Sequence, residues 1–276
     1  MRRAADHLPH LARSLRPRAL YTDLDGTLLG PGASLFAAPS GGVTSRTAEA
    51  VAALHAAQID LIPVSGRTES QVREAARLLG AAGFIAELGG VIAFGDRVER
   101  THGSHRGRGT PVEAMFRSGA PGFLMETYRG LLEPHAPWAH AARRSTILLR
   151  GLVDPQDARV TLERAGYGWL DVMDNGVIPG TYPGLSVPEV HAYHLAPRGI
   201  DKASAVARDL KRRGLRPPEA VAVGDAASDL ALAPHVGAVF IVQNAIVDDG
   251  PDNAYVTEGA FGEGFAEVVF GLLGSG

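Results

Sequence analysis

The chain contains no cysteine among its 276 residues. This absence excludes disulfide bonds, thiolate nucleophiles, and zinc or iron-sulfur sites that depend on cysteine ligands. Any metal ion must therefore be bound by oxygen or nitrogen atoms.

An excess of positive charge is also missing. The 30 acidic residues outnumber the 27 lysine and arginine residues, so the formal net charge is -3. Proteins that track along nucleic acid carry a basic surface that neutralises phosphates. We therefore expect no nucleic-acid partner, and a small molecule as the ligand.

No uninterrupted apolar run reaches the length of a membrane-spanning helix. Arginines are spread through the N-terminal MRRAADHLPHLARSLRP, which gives it neither the apolar stretch of a secretory signal nor that of an anchor. We expect no membrane partner, a cytoplasmic location, and an N-terminal extension over 1-17 that is frayed or docked on the surface. The sequence does not indicate an oligomeric state.

From residue 18 onward, short apolar strands alternate with segments of helical periodicity. The strands are RALYTDL and IDLIPVS, the helices are TAEAVAALHAAQ and ESQVREAARLLG, and GFIAELGGVIAF adds strand material. After residue 195 the same alternation returns with EAVAVGD and AVFIVQNA. This pattern predicts an α/β fold, a parallel sheet with helices packed on both faces.

Residues 96-194 interrupt this alternation with a different pattern. They contain a loop rich in glycine, histidine and arginine, the strand-like STILLRGLV, and MDNGVI, whose Asn-Gly pair predicts a hairpin turn. We interpret 96-194 as an inserted α+β domain that splits the core into 18-95 and 195-276.

Reactive side chains follow the predicted strands, at the edge where open parallel sheets bind ligands. Asp23, Asp25 and Thr27 follow the first strand, and Ser65 and Arg67 follow the second. Two further carboxylates, Asp225 and Asp229, end EAVAVGDAASD, and Lys202 opens the first helix after the insertion.

The aspartates predict a cation. Asp23 and Asp25 are two residues apart in an extended segment, so their carboxylates point the same way and repel each other unless a cation or a proton intervenes. With Asp225 and Asp229 they form an oxygen-only set, which suits Mg²⁺.

The same residues suit a phosphate group. Lys202 and the metal offset phosphate charge, and the hydroxyls of Thr27 and Ser65 can donate hydrogen bonds to its oxygens. An aspartate can also act as the covalent nucleophile in phosphoryl transfer, while a second carboxylate protonates the leaving oxygen and activates water.

Four segments in this order resemble the motifs of the haloacid dehalogenase-like phosphatases. They are DLDGT at 23-27, SGR at 65-67, Lys202 in GIDKASAV, and GDAASD at 224-229. PRGIDKASAV and AYVTEGAFGEGFAEVV are similar to segments of subclass IIB, the Cof-like group of sugar-phosphate and mannosyl-3-phosphoglycerate phosphatases. The resemblance implies a Rossmann-like core, with the insertion as a cap that closes over substrate and sets specificity.

The resemblance also implies roles for individual residues. It makes Asp23 the nucleophile, Asp25 the general acid/base, and Lys202 the charge partner of nucleophile and phosphate. The implied substrate-binding residues are Thr27, Ser65, Gly66, Arg67 and Asn244. The implied metal site consists of Asp23, the backbone carbonyl of Asp25, Asp225, and Asp229, which would support the metal's waters.

Several of these residues have alternatives. Ser65 could cap the following helix. Arg67 could be a surface side chain, Lys202 and Asp229 could be parts of helix starts, and Asn244 could serve a turn. In the insertion, Arg143, Arg144 and Arg150 are surface charges by default, with contact to an anionic substrate as the alternative. Trp138 and Trp169 are interpreted as core or interface packing.

The sequence departs from the subclass pattern at two positions. Ser228 stands where relatives usually have asparagine, which should alter how the second metal aspartate is held. Leu88 and Gly89 stand where relatives usually have Asn-Gly, and the leucine side chain cannot make a polar contact. The loop over 30-44 is longer than usual and could reshape the entrance.

Together these features predict a Mg²⁺-dependent phosphomonoester hydrolase that forms an aspartyl-phosphate. The expected substrate is a small phosphorylated metabolite, a phosphosugar or a related polyol or phosphoglycerate conjugate. One alternative is a phosphosugar mutase using the same site. Another is a catalytically silent binding or regulatory member of the family.

Overall fold

The computed structural model describes residues 1-137, 142-245, 247 and 249-274. Trp138 lies outside the described residues. Trp169 is partly buried against the apolar cluster of the insertion, which confirms its predicted packing role.

The N-terminal part begins with elements that the sequence did not indicate. Strand β1 is Arg2–Arg3 and helix α1 is Ala4–Ser14, followed by β2 (Ala19–Thr22), α2 (Arg46–Ala56), β3 (Asp60–Pro63) and α3 (Glu69–Leu78). The predicted alternation from residue 18 is confirmed. Residues 2-14 are not frayed, because β1 pairs with a strand near the end of the chain and Leu8 and Leu11 are buried.

The strand material after α3 forms a small antiparallel sheet of its own. It consists of β4 (Gly83–Ala86), β5 (Val91–Phe94) and β6 (Arg97–Arg100). A tight turn joins β4 to β5, and Glu87 and Leu88 have positive φ values of 50° and 55° there. A parallel bridge from Val64 to Ile85 ties β4 to the segment after β3.

The insertion folds into helices on a second antiparallel sheet. Its elements are α4 (Pro111–Ser118), α5 (Ala120–Thr127), β7 (Leu132–Pro134), β8 (Ile147–Gly151), α6 (Pro155–Arg164), β9 (Leu170–Val177) and β10 (His191–Pro197). The strand order is β7-β8-β10-β9. The hairpin predicted at Asn175 and Gly176 is wrong: both residues lie inside β9, where an irregularity in the pairing with β10 accommodates the positive φ of Gly176.

The C-terminal part returns to the first sheet. It contains α7 (Lys202–Arg213), β11 (Ala220–Gly224), α8 (Ala227–Leu230), β12 (Ala238–Ile241), β13 (Ala254–Val256) and α9 (Phe261–Leu273). The described strands of this sheet run in the order β1-β13-β12-β11-β2-β3, and their pairings are parallel. The predicted α/β class, with a parallel core sheet and an α+β insertion, is confirmed.

Strand β2 lies between β11 and β3 in this sheet. Its four residues are buried, and neighbouring residues of the sheet contribute alternately to two apolar clusters, Leu20 to one face and Tyr21 to the other. The loop that leaves β2 is therefore anchored by a fully buried strand, and it lies between the loops that follow β3 and β11. In the described part of the chain, no helix is both long and apolar enough to cross a membrane.

Candidate active site

The predicted site residues meet at the carboxyl edge of the parallel sheet. Asp23, Asp25 and Thr27 lie in the loop after β2, and Ser65, Gly66 and Arg67 lie after β3. Asp225 and Asp229 come from the segment after β11, Asn244 follows β12, and Lys202 is the first residue of α7. Contacts among these loops join residues that are far apart in the sequence.

Lys202 is the centre of the cluster. Its side chain is buried, and Nζ donates hydrogen bonds to Oδ1 of Asp23 and to Oδ1 of Asp229, both at 2.8 Å. The backbone at Lys202 is fixed because Asp201 caps α7, accepting a hydrogen bond from the Ser204 amide at 2.7 Å. The lysine thus lies between two carboxylates that belong to different motifs.

Asp229 also orders the loop that carries Asp225. Its Oδ2 accepts hydrogen bonds from the backbone amides of Asp225 at 3.2 Å and Ala226 at 3.1 Å. Both oxygens of Asp229 are therefore engaged by protein groups. Asp229 therefore does more than stand at a helix start, which was the alternative that the sequence left open.

Burial and like charges destabilise the ionised aspartates. Burial raises the pKa of Asp23 well above its ordinary range; Lys202 opposes this, and Asp229 and Asp225 add to it. Burial and then Asp229 raise the pKa of Asp225 to about 6, against the opposing charge of Lys202. Burial alone would lower the pKa of Lys202, but Asp229 and Asp23 raise it above its usual value. The cluster thus has one cation for three carboxylates.

Gly26 allows Asp225 to approach the loop after β2. It has a φ of 85°, and a Cβ at this position would lie 2.1 Å from Oδ2 of Asp225. The hydroxyl of Thr27 donates to Oδ1 of Asp225 at 3.2 Å. Glycine at position 26 therefore leaves room for the Asp225 carboxylate beside the backbone that follows Asp25.

These groups are compatible with a magnesium ion. In the described residues, no three histidine or acidic side chains are arranged as a metal-binding group. Mg²⁺, however, usually uses one or two protein carboxylates and keeps several waters. Asp23 and Asp225 supply two carboxylates whose shared negative charge would be offset by a cation.

Asp25 has a different partner from Asp23. Arg67 Nε donates to its Oδ2 at 2.7 Å, and Arg67 Nη2 donates to its Oδ1, so the guanidinium holds the carboxylate in a fork. The Asp25 side chain is 51% exposed, unlike the buried Asp23. This ion pair was not predicted, since the sequence places Arg67 at the substrate or on the surface.

Ser65 is buried, and its role as a helix cap is wrong. Thr68 is the N-cap of α3 and forms a reciprocal capping box with Gln71. The Ser65 hydroxyl instead accepts a hydrogen bond from the amide of Arg67 at 3.2 Å. Its position therefore belongs to the loop at the site and not to the helix.

Asn244 connects the loop after β12 to the loop after β2. Its Nδ2 donates to the carbonyl of Gly26 at 2.9 Å, and its Oδ1 accepts from the amide of Phe261 at 2.7 Å. The side chain supports the backbone next to Thr27. This contact favours support of the site over a simple turn role.

The two departures from the subclass pattern differ in their surroundings. The Ser228 hydroxyl is buried and makes no hydrogen bond to any described residue, so it does not hold Asp225 or Asp229 through a hydrogen bond. Leu88 is buried, and its amide donates to the carbonyl of Ser65 at 3.1 Å. At this position the backbone, and not the side chain, contacts the loop of the site.

Two residues of the insertion contact the Gly66 loop: Arg143, for which the sequence left a substrate contact as the alternative, and His194, which was not assigned to the site. Arg143 Nη1 donates to the carbonyl of Gly66 at 2.8 Å, so its default interpretation as a surface charge is wrong. A Cβ at Gly66 would lie 2.8 Å from Nε2 of His194. Burial, Arg143 and Lys202 lower the pKa of His194 well below its ordinary value, so its ring is neutral. Nothing in the local sequence of these two residues signals this contact, because it depends on how the insertion is placed on the core.

The chain is similar to known proteins in sequence and in fold. No family model matches the chain. A phosphoglycolate phosphatase from Methanothrix thermoacetophila is 28% identical over 261 residues, which cover 94% of this chain and 98% of that protein.

The fold also has counterparts among solved structures. The sucrose-phosphatase of Synechocystis, solved with sucrose and phosphate, matches with a TM-score of 0.63 and 16% identity over 94% of this chain and 98% of that one. A sugar phosphatase of haloacid dehalogenase subclass IIB matches with a TM-score of 0.61 and 17% identity over 93% of this chain and 100% of that one. At these identities the likeness establishes the fold alone.

Proposed function

We propose that the chain is a haloacid dehalogenase-like phosphatase that acts on phosphorylated small molecules, and that it hydrolyses them with Mg²⁺ through a phosphorylated Asp23. The observation that carries the proposal is the buried Lys202, which bridges Asp23 and Asp229 beside Asp225. A buried ammonium held next to a carboxylate at a sheet edge suits an anionic substrate, whose charge it offsets.

In the first proposed step, a carboxylate oxygen of Asp23 attacks the phosphorus of a phosphomonoester. The bond from phosphorus to the ester oxygen breaks, and the leaving oxygen takes a proton from Asp25. Lys202 stays between Asp23 and Asp229, where its charge stabilises the ionised nucleophile. The protein is then an aspartyl-phosphate with a deprotonated Asp25.

In the second proposed step, the oxygen of a water molecule attacks the phosphorus, and Asp25 accepts a proton from that water. The bond to Asp23 breaks, inorganic phosphate leaves, and Asp25 regains its proton. A carboxylate that accepts two hydrogen bonds from a guanidinium has no proton to donate there. The proposal therefore requires Asp25 to leave Arg67 when substrate binds.

The phosphate-binding groups are proposed to be the hydroxyls of Thr27 and Ser65, with the Gly66 loop and the freed Arg67 beside them. Asn244 would support this set by holding the carbonyl of Gly26. The Arg67 guanidinium would thus bind the Asp25 carboxylate in the absence of substrate and the phosphate group in its presence.

Asp23, the backbone carbonyl of Asp25, and Asp225 would hold Mg²⁺. The ion would supply positive charge that offsets both the carboxylates and the transferring phosphoryl group. Asp229 would support this arrangement through its bonds to Lys202 and to the Asp225 amide.

We further propose that residues 96-194 act as a cap over a catalytic core formed by 18-95 and 195-276, with 1-17 as an extension, in a cytoplasmic enzyme. The contact from Arg143 to Gly66 supports a cap whose residues reach the catalytic loops.

For the substrate, we propose a small phosphorylated carboxylic acid of the phosphoglycolate kind. The similarity in sequence to a phosphoglycolate phosphatase over nearly the whole of both chains supports this class. A phosphosugar is the second candidate, supported by the fold shared with two sugar phosphatases. Release of inorganic phosphate, measured against formation of an isomeric phosphate ester, separates hydrolysis from a mutase reaction.

The nucleophile is tested with the Asp23→Asn variant. An amide is a far weaker nucleophile than a carboxylate, so phosphate release from p-nitrophenyl phosphate with Mg²⁺ is expected to fall at least ~1,000-fold. The control is Asp6→Asn, which changes an exposed carboxylate on α1 in the same way and should retain wild-type turnover. Undiminished turnover by Asp23→Asn would rule out the aspartyl-phosphate.

A further inference from the structure

Arg143 lies next to the proposed phosphate site with most of its hydrogen-bonding capacity unused. Its Nη1 donates to the carbonyl of Gly66 at 2.8 Å and to the hydroxyl of Thr146 at 3.2 Å. Gly66 directly follows Ser65, so these bonds place the guanidinium beside the residue proposed to bind phosphate.

The unused donors of Arg143 are those that fit a carboxylate. A guanidinium has five N–H donors, and in the described residues only Nη1 is engaged. Nε is buried and has no hydrogen-bond partner in the described part of the chain. The Nε and Nη2 edge of arginine matches the two oxygens of a carboxylate, and buried donors rarely remain without a partner.

A carboxylate close enough to act on the charge of Arg143 is hydrogen-bonded to other groups. Glu87 interacts with the charge of Arg143, but its Oε2 accepts hydrogen bonds from the backbone amides of Arg144 at 3.0 Å and Ser145 at 2.7 Å. It makes no hydrogen bond to the Arg143 side chain among the described contacts. The guanidinium therefore lies at the Gly66 loop with no hydrogen bond to a carboxylate of any described residue.

His194 adds a second donor at the same place. Because Arg143 can only donate, the Thr146 hydroxyl accepts from it and can give its own hydrogen to Nδ1 of His194, 3.1 Å away. A neutral imidazole that accepts at Nδ1 carries its hydrogen at Nε2. Nε2 is the atom that a Cβ at Gly66 would meet at 2.8 Å, so this N–H points toward the Gly66 loop.

We propose that Arg143 and His194 bind the carboxylate of the substrate's leaving group and thereby select phosphorylated carboxylic acids over esters of neutral alcohols. Arg143 supplies the charge and a two-pronged contact, and His194 supplies a fixed N–H donor. Because both lie against the residue that follows Ser65, the carboxylate has to be close to the phosphate, as in a substrate with a two-carbon leaving group. This inference rests on the proposed phosphatase function and assigns specificity within it.

The test compares two substrates that differ in the carboxylate. Phosphoglycolate and ethyl phosphate share a two-carbon leaving group, and only the former carries a carboxylate. For Arg143→Gln, the ratio of kcat/KM for phosphoglycolate to that for ethyl phosphate is expected to fall by ~10 to 100-fold, the effect of losing a charge-assisted contact. Arg143→Lys should recover part of the ratio, because it keeps the charge without the fork.

Arg144→Gln is the matched control. It removes the same charge from the neighbouring residue, whose side chain is exposed, and should leave the ratio at the wild-type value. An unchanged ratio in a folded Arg143→Gln protein overturns the inference, as does an equal fall for Arg144→Gln. If Arg143→Gln fails to fold, Arg143→Lys decides the question, and a wild-type ratio in that variant counts against the two-pronged contact.

A binding measurement separates this inference from the proposed function. Calorimetry in the Asp23→Asn background measures the affinity for phosphoglycolate with Mg²⁺ without turnover. Adding Arg143→Gln should weaken binding by ~10-fold or more, and equal affinities overturn the inference. A wild-type protein that hydrolyses no phosphate ester overturns the proposed function, whereas the calorimetric comparison still decides whether Arg143 binds the carboxylate.

Discussion

At the scale of single residues, Lys202 serves both stability and chemistry. A buried lysine between two carboxylates costs desolvation, which is offset only because both of its partners are well placed. Without the ammonium, Asp23 and Asp229 would be buried like charges with Asp225 close by. Lys202, which is proposed to stabilise the ionised nucleophile, thus also holds the loops of Asp23 and Asp229 together.

Lys202→Met is therefore expected to lower the free energy of unfolding by about 3 to 5 kcal/mol, because it leaves buried carboxylates without their cation. Urea unfolding without added metal, followed by circular dichroism, measures the change. Lys211→Met, at an exposed position of the same helix, is the control and should change stability little. A loss below about 1 kcal/mol for Lys202→Met would mean that the aspartates become protonated at little cost.

The sequence predicted which residues gather at the site but not how they pair. Asp23, Lys202, Asp225 and Asp229 could be assigned because parallel strands bring their carboxyl ends to one edge. The fork between Arg67 and Asp25 depends on side-chain rotamers, which no motif specifies. For Arg143 the sequence could not decide between a surface charge and a substrate contact, since its contact with Gly66 depends on where the insertion lies on the core.

At the scale of elements, the least expected feature is the N-terminal strand and helix. Helix α1 packs on α9, where a Cβ at Gly271 would lie 2.6 Å from Cδ1 of Leu8. The sequence predicted an extension that is frayed or docked on the surface; in the structure Ala4, Leu8 and Leu11 form a buried stripe at helical spacing. The segment is too short and too charged for its role to be inferred without its partner helix.

Leu8→Ala should lower the free energy of unfolding by about 2 to 4 kcal/mol, through lost burial and a cavity between α1 and α9. The proposed chemistry lies at the sheet edge, so kcat at a temperature where the variant is folded should stay near the wild-type value. Leu78→Ala is a suitable control because that leucine is 71% exposed, and equal losses for the two variants would contradict the docking of α1.

The Asn-Gly pair in the insertion shows why local turn signals can fail. Asn175 and Gly176 have the residue types of a hairpin turn, and Gly176 does adopt a positive φ of 89°. The sheet uses that conformation for an irregularity within β9, because β10 pairs with residues on both sides of it. Local preference was predicted correctly, but strand pairing decided the outcome.

At the scale of the whole molecule, the buried neutral His194 makes stability depend on pH. Above about pH 6.5 the residue is neutral in both the folded and the unfolded chain and contributes nothing to the dependence. Below that pH the unfolded chain takes up a proton that the folded protein resists, because burial and then Arg143 and Lys202 lower the pKa of His194. Acid therefore favours unfolding.

The free energy of unfolding should fall between pH 6.5 and pH 5 by up to ~1.4 kcal/mol per pH unit on account of this residue. His194→Gln removes the titrating group, so its stability should fall less steeply over the same range in denaturant titrations. His10→Gln, at an exposed position of α1, should keep the wild-type slope. Parallel slopes for the wild type and His194→Gln would show that His194 does not resist protonation in the folded state.

The core sheet pairs β1, the first strand of the chain, with β13, the last strand of the sheet to be synthesised. Residues 2 and 3 pair with residues 255 and 256, and α1 packs on the helix that ends at Leu273. Bringing such distant parts of a chain together costs more loop-closure entropy than local contacts do, so we expect these contacts to form late. During synthesis on the ribosome, the four-stranded sheet of residues 132-197 has all its strands long before α9 exists. We therefore expect the insertion to reach its native packing before α9 has been synthesised, and the core to complete its packing only after α9 has left the ribosome.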